Sequence, residues 1–234
     1  MFIVPLLLAS RLVYAVFAHD GGHVIEPIGT SKELPRSQAA VLYRDGVRVG
    51  SVRAGAAREL GCVSNAADAA IDGEKPAVDE VLIATNFVAR ERRRRDRELT
   101  AGEASVLERY ARTFLREHGA KSTEPLDVNA RVMDLGDELL VIGSWSTAES
   151  ACEGSLFLIA RIEAGAVKPQ IARYRERADC EDAAFIEPLE HVDIDGDGFD
   201  EVIARDHGKE GYDYVIFKRD KGAWTVERGG ATGC

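Results

Sequence analysis

Aromatic side chains make up only 7% of this 234-residue chain and methionine occurs twice, so a core must be assembled from small and β-branched aliphatic residues. A surplus of positive charge is also missing. With 40 acidic against 30 basic residues the formal net charge is −10, which repels nucleic acid and anionic lipid. No uninterrupted apolar run reaches the roughly 20 residues that a membrane helix needs. Closely paired cysteines of the Cys-x-x-Cys kind are absent, which removes the usual zinc cage. Gly-x-Ser-x-Gly, His-Glu-x-x-His, a Walker loop and Gly-x-Gly-x-x-Gly are absent as well. No contiguous motif therefore points to catalysis, although a site can be assembled from residues far apart in sequence.

What the chain does hold is one acidic stretch with chemical spacing, Asp193-Ile-Asp-Gly-Asp-Gly-Phe-Asp-Glu-Val-Ile203. Asp193, Asp195 and Asp197 alternate, Gly198 is sixth counting from Asp193, and Glu201 is ninth. Ca²⁺ takes 6 to 8 oxygen ligands, so alternating carboxylates on a loop that a glycine turns sharply suit it. An EF-hand would need a bidentate Glu at the twelfth position and a helix after it. Here the twelfth residue is Ala204, and the chain beyond it is β-like, so the EF-hand does not fit. An Asp/Gly-rich turn with no ion is the alternative.

The stretch resembles the loop-then-strand calcium motif of FG-GAP and VCBS repeats, in a single copy. That resemblance implies Ca²⁺ held by Asp193, Asp195, Asp197, the Phe199 carbonyl and Glu201. It covers only the C-terminal part and implies no propeller, which needs several repeats.

Residues 1–18 read as a secretory signal peptide cut after Ala18, with Val16 and Ala18 as the small residues at −3 and −1. The pattern is atypical, because no basic residue precedes the apolar run and Arg11 interrupts it. The chain is thus expected to be secreted or periplasmic, with no stable membrane span after cleavage. Export permits disulfides. Cys152 and Cys180 share an index sum of 332, centred in the turn of a hairpin over 155–176, which predicts that they face one another at its open end. Cys62 and Cys234 pair by elimination or stay free.

From residue 19 to 36 no period emerges, which suggests an extended leader. Asp45-Gly46 between two alternating apolar runs predicts a hairpin over 39–52, and Val81–Thr85 reads as a further strand. Six arginines and three acids crowd into 90–98 and are read as a solvated linker, at which the domain 37–234 would split if it splits. Thr100-Ala-Gly-Glu103 spells a capping box, and apolar pairs every four residues with Gly119 beyond them predict an amphipathic helix over 101–118.

Hairpins over 130–145 and 155–176 and a meander from 201 to 227 complete an expected α+β fold, mainly antiparallel β, of about seven strands. The function expected is an exported, calcium-stabilised β-rich protein that binds or supports and has no catalytic role. Its partner would be a protein or glycan ligand. A secreted hydrolase using the calcium loop as a brace is the alternative, with Ser144, His191 or His207 as its candidate groups.

Overall fold

In a computed structural model the residues described are 11–29, 33–60, 63–89, 95–121, 126–147, 154–176, 184–209, 211–220 and 222–233. A closed antiparallel barrel comes first: β1 (Val13–His19), β2 (Gly22–Ile28), β3 (Ala40–Arg44), β4 (Val47–Leu60), β5 (Val63–Gly73) and β6 (Val81–Thr85) join in the order β1-β2-β5-β4-β3-β6. The helix α1 (Ala101–Glu117) follows, then a four-stranded meander of β7 (Leu126–Asp134), β8 (Leu139–Thr147), β9 (Gly154–Glu163) and β10 (Ala166–Glu176). A second meander, β11 (Ile186–Val192), β12 (Glu201–Gly208), β13 (Gly211–Asp220) and β14 (Ala223–Gly233), closes the chain.

Side-chain alternation stacks these units into layers, because successive strand residues face opposite sides of a sheet. Val13 and Ala15 of β1 and Ile83 of β6 point out of the barrel and pack on Ile203, Tyr214 and Ile216 of the C-terminal sheet. Their neighbours Tyr14, Val16, Leu82 and Ala84 fill the barrel interior with Ile25 and Leu42. The C-terminal sheet turns Val202, Ala204, Val215 and Phe217 the other way, onto Ile142, Phe157 and Ile159 of the middle sheet. The opposite face of the middle sheet, with Trp145, Leu156 and Leu158, is covered by Leu107, Ala111 and Leu115 of α1. The C-terminal sheet is therefore buried on both faces, and the loop joining β11 to β12 sits at its rim.

The expected helix is present with its capping box, Thr100 accepting from the Glu103 amide and the Glu103 carboxylate accepting from the Thr100 amide. Both early hairpin strands and Val81–Thr85 are also present. The α+β class is corrected: strands hold 63% of the described residues and helix 9%, so the class is mainly β. The lone helix is a lid on one sheet, and fourteen strands, not about seven, are found among the described residues.

Two N-terminal segments carry more structure than their composition suggests. Residues 13–18 form most of β1, so a cut after Ala18 would take from the barrel a strand whose first four residues are buried. Within 19–36, read as a leader, Gly22–Ile28 is β2. The 155–176 hairpin is present, but its turn is Ala164-Gly165, and Ser155 faces Arg175 and Gly154 faces Glu176, two lower in index sum than the cysteine pairing needs. Cys62, Cys152, Cys180 and Cys234 all lie outside the described residues.

Candidate metal centre

β11 and β12 pair antiparallel with Val192 opposite Glu201, so the eight residues between them must reverse the chain in a compact loop. Glycine supplies the turns, with Gly196 at φ +79° and Gly198 at φ +97°, a region that side chains with a Cβ rarely adopt. The aspartates fold the loop back on itself. Asp193 Oδ1 accepts from the Gly196 amide at 2.6 Å, Asp195 Oδ1 from Asp197 at 3.0 Å, and Asp197 Oδ1 from Phe199 at 2.7 Å. Each carboxylate is thereby anchored by one oxygen, and one carboxylate oxygen from each of Asp193, Asp195 and Asp197 lies within 4.8 Å of the other two. The cluster grades from buried at Asp193 through half-buried at Asp195 to exposed at Asp197. Such a triad could hold a metal ion.

Phe199 and Glu201 stand beside the triad. The Phe199 ring meets Trp224 edge-on at 5.9 Å and lies beneath the Arg219 guanidinium at 4.8 Å. Glu201 is buried, and its Oε2 accepts from the Ile194 amide at 2.6 Å, which ties the start of β12 to the loop. Burial pushes the Glu201 carboxyl up to about 8; the Ile194 amide opposes this, while the Asp195 and Asp193 charges add to it.

Two cations from distant parts of the chain touch the loop. Lys218 Nζ lies 2.9 Å from Asp195 Oδ2, and Arg11 Nη1 donates to the Ile194 carbonyl at 2.5 Å. Burial acts to raise the Asp195 carboxyl, but the hydrogen bonds from Lys218 and from the Asp197 amide, with both positive charges, hold it below its ordinary value.

Immediately upstream lies a buried charge cluster around His191, which the sequence offered only as a candidate group of a hydrolase. His191 has both ring nitrogens bonded, Nδ1 to Asp200 Oδ2 at 2.8 Å and Nε2 to Asp96 Oδ2 at 2.7 Å. Burial acts to lower its pKa, yet the two carboxylates, with Glu190 beside them, push it up to about 9. His191 is accordingly an imidazolium donating on both sides. Asp200 stands eighth in the loop, where the calcium spacing gives it no role, and Asp96 is hidden in the arginine-rich run.

The other candidate groups are placed apart. Ser144 is on β8 opposite Asn129 and Phe157, and among the described residues no hydrogen bond joins it to His191 or His207. His207 bonds Glu187 at 3.0 Å and stacks on Phe185. Among the described residues no helix is long and apolar enough to cross a membrane.

Compared with known proteins, the chain matches no family model, no curated protein and no solved structure. The Asp193, Asp195 and Asp197 cluster by itself does not identify an FG-GAP motif.

Proposed function

We propose that the β11–β12 loop takes Ca²⁺ as a structural brace, and that the chain is an exported binding or supporting protein with no catalytic role. The carrying observation is the convergence of three aspartate carboxylates within 4.8 Å on a loop that joins two strands of the doubly covered sheet. The donor set consists of oxygens alone, which suits a hard cation such as Ca²⁺ or Mg²⁺ and not zinc or copper. By resemblance to FG-GAP and VCBS loops the ligands are Asp193, Asp195, Asp197, the Phe199 carbonyl and Glu201. The ion would supply charge neutralisation and fix the register of β11 on β12. A hydrolase would need a free base near Ser144; both nitrogens of His191 are taken by carboxylates and His207 is bonded to Glu187.

Thermal unfolding in calcium and in chelator, with calorimetric titration, tests this. Saturation at about 100 times Kd stabilises by about 2.7 kcal/mol. For a chain of this size that is a rise of about 5–10 °C in Tm. Magnesium in place of calcium distinguishes the two hard cations. An unchanged melt in both metals, with no heat of binding, removes the ion. Export is tested separately by the intact mass of the exported protein. A cut after Ala18 and a barrel closed by the whole of β1 exclude one another, so the mass decides which of them holds.

A further inference from the structure

Arginine is concentrated where this acidic chain least predicts it. A shallow cavity of about 430 Å³ is lined by Arg95, Arg161 and Arg219 with Asp137, Glu138 and Leu139. The three guanidiniums come from separate places: Arg95 from the arginine-rich run, Arg161 from β9 and Arg219 from the end of β13. The middle and C-terminal sheets thus meet where three arginines are gathered among the carboxylates of Asp134, Asp137 and Glu138.

Counting the partners decides what this cavity can hold. Arg95 is matched one to one, with Nε 2.8 Å from Asp134 Oδ2 and Nη2 3.2 Å from Oδ1. Arg161 and Arg219 instead share one carboxylate. Arg161 Nε bonds Glu138 Oε1 and Arg219 Nη1 lies 2.9 Å from Glu138 Oε2, while Gln170 Nε2 also donates to Oε1 at 3.2 Å. Among the described residues the only other acid on Arg161 is the exposed Glu163, 3.8 Å away, and no second acid meets Arg219. A guanidinium carries five N–H donors, so most of those on Arg161 and Arg219 are left for a ligand. Arg219 also packs over the Phe199 ring, its Cζ 4.8 Å from the ring centroid. Fixed, partly desolvated guanidiniums in a fork are the standard protein recognition of carboxylate, sulfate and phosphate.

We propose that this cavity binds a single oxyanion group, sulfate, phosphate or carboxylate, with Arg161 and Arg219 as its principal donors and Arg95 at its edge. Asp137 in the lining and Glu163 beside Arg161 disfavour a polyanion, since they would repel its further charges. The site rests on the arginine geometry and not on the metal loop.

Titration of inorganic sulfate, phosphate and acetate at constant ionic strength, followed by amide chemical shifts, is the test. Saturable shifts are expected around the cavity, and the rank of the three anions names the oxyanion preferred. Arg161→Gln and Arg219→Gln should each weaken binding about tenfold, the effect of one charge-assisted hydrogen bond. Arg116→Gln, exposed on α1, should leave it unchanged. Should Arg219→Gln fail to fold, Arg161→Lys decides, since it keeps the charge, loses the fork and should still weaken binding severalfold. Non-saturating shifts, or saturation indifferent to Arg161, mean an adventitious ion only and overturn the site. The same titration in chelator and in calcium should agree, so failure of the metal reading leaves this one standing.

Discussion

Two sets of carboxylates adjoin one another on the β11–β12 connection, and the chain neutralises them in opposite ways. Asp96 and Asp200 share the His191 imidazolium, which is fully buried between them and bonded at 2.7 and 2.8 Å. Beside Asp193, Asp195 and Asp197, Lys218 lies on Asp195 and Arg11 donates to the backbone at Ile194. The first set is closed, since its positive charge is built in and both nitrogens are used. The second is open, graded from buried to solvent, with three carboxylates converging on a volume the size of an ion. Proximity of acids alone therefore says little about ligand binding. What separates a structural clamp from a metal centre is whether the chain itself supplies the counter-charge.

The largest effect should come from breaking the closed set. His191→Leu leaves the buried Asp200 and half-buried Asp96 carboxylates without their cation, and removing one partner of a buried ion pair typically costs about 3–5 kcal/mol. Urea unfolding should show that loss in calcium and in chelator alike. A loss confined to one of the two conditions would mean that His191 belongs to the metal site, and the contrast between the sets would collapse.

Next in size is the open set. Asp195→Asn should abolish the calcium-dependent rise in Tm, about 2–3 kcal/mol at saturation, while leaving the chelated protein close to wild type. A surviving shift would show that the ligands are other than those assigned here.

The contrast also explains what was legible in the sequence. The acid loop was readable because its carboxylates are spaced within one segment. The clamp was not, because Asp96 lies far upstream and meets His191 only once the layers have stacked. The same division runs through the fold. The α1 helix and the hairpins at Asp45-Gly46 and Ala164-Gly165 rest on local signals, a capping box and left-handed turn residues. β1 was masked for a physical reason. One face packs into the barrel and the other onto the C-terminal sheet, so Val13-Tyr-Ala-Val16 is continuously apolar, a pattern that a doubly covered strand shares with the hydrophobic core of a signal peptide. β5 was masked by alanine, a weak strand former, which lines its pairing with β4 at Ala67, Ala69 and Ala70. The oxyanion cavity draws its arginines from three separate segments and leaves no pattern in any one of them.

Glu26 extends the comparison to a carboxylate served chiefly by neutral donors. It is fully buried between the barrel and the C-terminal sheet, and its Oε1 accepts from the hydroxyls of Tyr212 and Tyr214. Burial raises its pKa above the ordinary value, and the two hydroxyls and the Arg205 charge only partly offset that. For a carboxyl whose folded pKa is raised, the stabilising contribution is complete below the unfolded value of 4.5 and is lost as pH rises through the folded value. The stability of wild type relative to Glu26→Gln should therefore fall on going from acidic to neutral pH, since glutamine does not titrate. A constant or rising difference would mean that Arg205 serves Glu26 as fully as His191 serves its pair.

The smallest effect tests the open set from its rim. Lys218 lies on Asp195 at 2.9 Å with about a third of its side chain exposed, and an exposed ion pair of this kind contributes at most about 1 kcal/mol. Lys218→Met should thus cost the chelated protein little. In calcium its consequence reverses, because the ammonium and a divalent cation compete for the same carboxylate, and removing the competitor should tighten calcium binding severalfold. Calorimetric titration of the two proteins side by side reads that change. If Lys218→Met binds calcium no better than wild type, Lys218 is not a competitor for the site, and the open loop is neutralised by some route other than the exchange of one cation for another.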